Sequence, residues 1–329
     1  MKFNLSNFFS KIESEDDFEK ICFKLLDKHY KFNTVYRSYC DLINRPPSSI
    51  NSFKEIPFLP ISFFKSHDVK TFSEKPKIIF KSSGTTNDNP SQHFIKDTTD
   101  YKKSFSKSFE LFYGKPTDWV ILALLPGYYE RNDSSLIYMV ADLIKQSNSN
   151  SSGFYLDDFD KLYKTLLDLE SIKQKTILIG VSFALLSFIK KNKIKLKYTV
   201  IIETGGMKGK RKELIRNELH KKLCNGFGVK SIHSEYGMTE LLSQAYSIKD
   251  GLFECPPWMK VFSREIDDPL TLCMPEQTGG LNIIDLVNSD SCPFIATEDL
   301  GKVYSNGFFE VLGRFDQAEI RGCNLMVFN

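Results

Sequence analysis

The sequence predicts an α/β protein in which helices cover a mainly parallel sheet, followed by a smaller β-rich part. Three observations predict it. From residue 77 onward short apolar runs alternate with amphipathic segments of helical period, as consecutive strand and helix units do. The run ILIG at 177–180 is apolar without a break, which suits a buried strand, and YTVIIE at 198–203 follows as another short strand. After Gly237 the texture changes to turns, Pro256-Pro257, Thr278-Gly279-Gly280 and Ser305-Asn306-Gly307, with two-residue alternation in LNIIDLV.

The elements follow in order. Ser14 before Glu15, Asp16 and Asp17 starts a helix, and Phe18, Ile21, Cys22, Leu25 and Leu26 then share one face. A second helix carries Tyr36 and Tyr39 and stops at Asn44-Arg45-Pro46-Pro47, after which Pro57 and Pro60 keep IPFLPISFF extended. The alternating part reads KIIF, helix 100–113, WVILALL, helix 134–146, GFYL, helix 159–169, TILIG, a helix to Lys191, YTVIIE, and helix 210–223. QSNSNSSG at 146–153 is a polar surface loop between two of these units. The expected division is 1–236 as the α/β core with its helical N-terminal segment, 237–313 as the β-rich part, and 314–329 as a hinge-like tail.

Composition excludes several classes of protein. With 329 residues, 41% of them hydrophobic and a net charge of +3, the chain has enough apolar material for an ordinary core and no excess charge for nucleic acid. The longest apolar stretch, Thr176 to Ile189, is about 14 residues and too short to span a bilayer. Seven cysteines without a CxxC pair indicate neither a disulfide framework nor a zinc ribbon, and reduced thiols in the cytoplasm are expected. For Cys22, Cys40, Cys224, Cys255, Cys273 and Cys292 burial is expected. His29, His67 and His220 read as surface residues.

The chemistry concentrates in a few segments. Ser82-Ser83-Gly84-Thr85-Thr86 directly follows the strand KIIF; its hydroxyls and its flexible glycine suit the wrapping of phosphate oxygens. On composition alone a polar turn explains it equally, and no GxxxxGK[ST] loop is present. Tyr236-Gly237-Met238-Thr239-Glu240 joins a strand to the β-rich part, and Ala296-Thr297-Glu298-Asp299-Leu300-Gly301 and Gly313-Arg314-Phe315-Asp316 follow. In this order SSGTT, YGMTE, TEDLG and GRFD resemble the motifs of the adenylate-forming superfamily. With IPFLPISFFK at 56–65, Glu130-Arg131, ETGGMKG at 203–209 and Arg321-Gly322-Cys323, the chain is most similar to the LuxE-type acyl-protein synthetases over nearly its whole length. Phenylacetate-CoA ligases resemble it more distantly.

That resemblance implies the large-domain fold of adenylate-forming enzymes without their small C-terminal domain, and ATP with Mg²⁺ as cofactors. It implies that Ser82, Ser83, Gly84, Thr85 and Thr86 hold the phosphates and that Gly205, Gly206 and Met207 line the adenine, on which Tyr236 stacks. Thr239 is implied at the α-phosphate, Glu240 as the metal ligand, Asp299 on the ribose hydroxyls and Arg314 on ribose or phosphate. Cys323 is implied as the acyl acceptor beside Arg321, whose charge favours a thiolate. The implied substrate is a fatty or other carboxylic acid and the implied partner an acyl-CoA reductase-like protein. A CoA ligase of the phenylacetate type and a non-catalytic nucleotide-binding scaffold are the competing readings. His233, directly before SEYGMTE, either faces the acyl carboxylate or is ordinary packing. His93 lies where many superfamily members carry a lysine.

Overall fold

The computed structural model describes residues 9, 12–82, 89–125, 133–205 and 216–314. Two N-terminal helices open the chain, α1 (Glu15–Phe32) and α2 (Thr34–Leu42). Ser14 caps α1 by accepting the Asp17 N–H, and the acidic first turn complements the helix dipole. Asn33 sits between the helices and does two jobs: its Oδ1 accepts the Tyr36 N–H at 3.1 Å and its Nδ2 donates to the Ser291 carbonyl at 2.9 Å. The buried face of α1, Phe18, Cys22, Leu25 and Leu26, also contains His29, whose Nε2 donates to the Ser289 carbonyl at 3.0 Å. His29 is therefore buried and not a surface residue; desolvation pushes it down to about 3, so it is neutral.

The extended segment after α2 contributes β1 (Leu59–Pro60), followed by the single turn α3 (Phe63–Ser66). Then β2 (Ile78–Lys81) and β3 (Gln92–Ile95) form an antiparallel pair of their own. The sequence pattern counts KIIF among the parallel strands; its partner is instead the next segment, because a four-residue apolar run carries no information about what lies beside it.

The expected alternation continues through α4 (Thr99–Tyr113), β4 (Val120–Leu124), α5 (Ser135–Ser147), β5 (Gly153–Phe154), α6 (Phe159–Ser171), β6 (Thr176–Val181), α7 (Ser182–Lys191), β7 (Thr199–Thr204), α8 (Arg216–Phe227) and β8 (His233–Tyr236). These strands, with β9 (Ala245–Ser247), make a six-stranded sheet in the order β5-β4-β6-β7-β8-β9. All its ladders are parallel except β8 with β9. β4 and β6 are buried at every position, as the unbroken apolar runs require.

The β-rich part is a five-stranded sheet of β1, β10 (Met259–Arg264), β11 (Thr278–Asp285), β12 (Phe294–Val303) and β13 (Phe309–Arg314). β1 runs parallel to β12, so the N-terminal segment is built into this sheet. The buried side chains of both sheets and of α1 and α2 belong to one hydrophobic core. Among the described residues no helix is long and apolar enough to cross a membrane.

Candidate active site

The parallel strands deliver their chain ends to one edge. Val181 at the end of β6 is level with Thr204 of β7, and Thr204 is level with Glu235 of β8. Gly205 and the Tyr236-Gly237 step thus leave the sheet side by side, at the carboxyl ends where α/β sheets open a cleft. Among the described residues, no atom beyond its chain neighbours lies within 4 Å of where a Cβ on Gly205 would stand.

β12 closes on this edge through a polar chain. Tyr236 is buried, with its ring against Phe309 at 5.4 Å and Phe253 at 5.7 Å, and its hydroxyl donates to Asp299 Oδ2 at 2.8 Å. Burial, with the neighbouring Asp299 carboxylate, keeps the phenol protonated. Arg314 lies directly across the β12–β13 ladder from Asp299; its Nε is 3.6 Å from Asp299 Oδ1 and its NH2 donates to Glu298 Oε2 at 2.6 Å. Three of the sequence-identified segments therefore meet here as Tyr236, Asp299 and Arg314.

Thr239 and Glu240 form the turn between β8 and β9. Glu240 is only 5% exposed. The turn is tied by its backbone: His93 Nδ1 donates to the Thr239 carbonyl at 2.7 Å and Asn288 Nδ2 to the Glu240 carbonyl at 2.7 Å. His93 Nε2 lies 2.9 Å from Asn288 Oδ1. Asp285 accepts the Leu242 N–H at 2.7 Å and the Ser243 hydroxyl at 2.6 Å. His93, Asn288 and Asp285 are all fully buried. Sequence reading placed His93 near the hydroxyl-rich loop and missed Asn288 and Asp285, which stand in LNIIDLVN as single polar residues in an apolar run and carry no spacing signal.

Ser82 directly follows β2, its N–H donating to the Ser91 carbonyl at 3.1 Å and its hydroxyl accepting the Ser91 N–H at 2.9 Å. Ser83, Gly84, Thr85, Thr86, Gly206, Met207 and Cys323 lie outside the described residues, as do Glu130, Arg131 and Arg321. His233 opens β8, half-buried, stacked on Tyr113 at 5.7 Å with Nδ1 3.3 Å from the Tyr113 hydroxyl; desolvation pushes it down to about 4.

Two buried carboxyls flank the motif. Glu203 accepts from Arg216 at 2.6 Å, Ser234 at 3.0 Å and Ser182 at 2.9 Å, and His220 Nε2 approaches to 3.6 Å. Burial would raise Glu203, but the His220 and Arg216 contacts outweigh it and hold the carboxyl below its usual range. His220 thus belongs to a buried network, not to the surface. Glu235 lies beside Tyr236; burial pushes it up to about 7, with Glu203 adding to the rise and the Thr204 hydroxyl, which donates to it, opposing.

The donor set suits a magnesium nucleotide. Mg²⁺ commonly binds through one or two carboxylates and the phosphates of its ligand, and Glu240 offers one buried carboxylate on the turn. Among the described residues no group of three His, Cys, Asp or Glu forms a self-sufficient metal cage.

The solved structures similar to this chain include ATP-bound MatB from Rhodopseudomonas palustris, with TM-score 0.52 and 18% identity over 74% of this chain and 49% of that one. 2-Hydroxyisobutyryl-CoA ligase in an open conformation with 2-HIB-AMP and CoA matches at TM-score 0.67 and 10% identity over 92% and 70%. The same ligase in its thioesterification state matches at TM-score 0.67 and 12% identity over 93% and 70%. The chain spans about half the length of the MatB structure. At these identities the likeness fixes the fold, which is that of the adenylate-forming enzymes. Over residues 6–329 the sequence matches the family described as acyl-protein synthetase, LuxE, and the chain belongs to that family. No match is found among curated protein sequences.

Proposed function

We propose that the protein is an ATP-dependent acyl-protein synthetase. A carboxylate oxygen of a fatty or other acid attacks the α-phosphorus of ATP, the bond to the β-phosphate breaks, and acyl-AMP and pyrophosphate form. A thiolate of Cys323 then attacks the acyl carbonyl, AMP leaves, and the thioester is passed to an acyl-CoA reductase-like partner. The observation that carries this reading is the convergence of Tyr236, Asp299, Arg314 and the Thr239–Glu240 turn on one sheet edge in a chain of this family.

Each residue has a task in this reading. Asp299, held by the Tyr236 hydroxyl, accepts the ribose hydroxyls, and Arg314 balances its charge and that of the phosphate. Gly205, with Gly206 and Met207, borders the adenine, and Ser82 with the SSGTT hydroxyls donates to the phosphates. Thr239 contacts the α-phosphate and Glu240 holds Mg²⁺. The metal, when bound, neutralises charge that builds on the departing pyrophosphate. Attack of one anion on another needs such donors in place before reaction.

The test is incubation with MgATP and a panel of fatty and aromatic acids, following pyrophosphate release and intact mass. Release with a hydroxylamine-labile adduct that Cys323→Ser removes, while pyrophosphate release persists, is the expected result. Release with formation of a CoA thioester and no adduct would replace this reading with an acid–CoA ligase. ATP binding without release for any acid would leave a nucleotide-binding scaffold.

A further inference from the structure

We infer that His93 and Asn288 are positioning residues that yoke the hairpin carrying the SSGTT loop to the Thr239–Glu240 turn; the inference rests on the nucleotide reading above. The carbonyls of two consecutive residues, Thr239 and Glu240, are each gripped by a buried side chain from elsewhere in the chain, and those two side chains meet at 2.9 Å. The three partners are remote in sequence, 146 residues from His93 to Thr239 and 195 from His93 to Asn288. Local chain stiffness therefore does not set their relation. His93 pairs with Phe80 across the hairpin, only two residues before Ser82, so the ring is fixed to the base of the hydroxyl-rich loop. Its edge rests on Phe64 at 5.9 Å, which blocks rotation on that side.

The other end of the yoke is equally anchored. Asn288 follows Asp285, which accepts the Leu242 and Ser243 groups of the same turn and the Val287 N–H. Beyond Asn288, α1 holds the strand connection: Lys28 and His29 both donate to the Ser289 carbonyl, and Asn33 donates to that of Ser291. The β2–β3 strand pair and the backbone of the Thr239–Glu240 turn are thus held as one body. A single hydrogen bond to a surface turn would not achieve this; a buried network fixes position because any slip leaves a desolvated carbonyl unpaired.

The experiment compares the wild-type protein with Asn288→Asp and His93→Gln, using adenosine and Mn²⁺ plus ATP as probes, without acid. Asn288→Asp keeps the shape but sets an oxygen against the Glu240 carbonyl. His93→Gln retains one donor and serves if the first variant folds poorly. Mn²⁺–ATP affinity, read by electron paramagnetic resonance, should fall about tenfold or more in each variant. Adenosine affinity, by calorimetry, should change less than about twofold, since it carries neither the phosphates nor the metal that the turn would hold. Amide hydrogen exchange of residues 237–244 in the ligand-free variants should speed up. Equal weakening of both probes, or unchanged Mn²⁺–ATP binding with faster exchange, would overturn the yoke. Wild-type protein that binds neither probe would instead overturn the nucleotide reading.

Discussion

At the Thr239–Glu240 end of the cleft every side chain that holds the backbone is fully buried, whereas at the Asp299 end Arg314 is 50% exposed and its partner Glu298 29% exposed. The two ends face different chemistry in the proposed reaction. The turn must hold charge that appears as a bond breaks, where a small misplacement is costly. The ribose end grips a neutral sugar beside a phosphate, and an adjustable arginine outside a fixed Tyr236–Asp299 pair suffices. Precision in this molecule thus rests on backbone carbonyls held by buried side chains.

Substitutions can break or sharpen this contrast. The largest effect is expected at the buried end: Glu240→Ala should lower the rate of pyrophosphate release about a thousandfold while leaving adenosine binding intact. Asp299→Ala should come next, weakening ATP and adenosine alike by about ten- to a hundredfold in calorimetry, since a charged acceptor is lost. Arg314→Ala, in an exposed pair, should cost less than about fivefold in the same titrations. A reversed order would show that the ribose end, not the turn, carries the precision.

The smallest effect is on stability and concerns Glu235. Its carboxyl sits at about 7 in the folded chain, above its ordinary 4.5, so the folded state holds the proton more tightly. That contribution is fully present below pH 4.5 and is lost as pH rises through 7. Glu235→Gln should flatten this slope and stabilise the protein by on the order of 2 kcal/mol at pH 8, seen in denaturant unfolding across pH.

The parallel strands and their helices were legible because each is a local pattern: Ser14 before an acidic turn for α1, and fully apolar runs for β4 and β6. The chemical segments were legible through resemblance, and the described ones among them come together. What stayed hidden is non-local. The pairing of β2 with β3, the burial of His29 and the grip of Asn288 on Glu240 depend on which remote segment arrives beside a residue, and no period or spacing encodes that. A polar residue that is structural because of its distant partner looks in sequence like any surface residue.

The linkage of His93 with Asn288 across 195 positions also constrains how the protein comes into being. A chain emerging from the ribosome can complete the hairpin and most of the six-stranded sheet while Asn288 is still unmade. Until that residue appears, the Glu240 carbonyl has no amide to accept from, and Asp299, further along, is absent too. Closing so long a loop is slow compared with forming local helices. The nascent protein therefore gains its ability to handle ATP late, only once synthesis has passed Asp299.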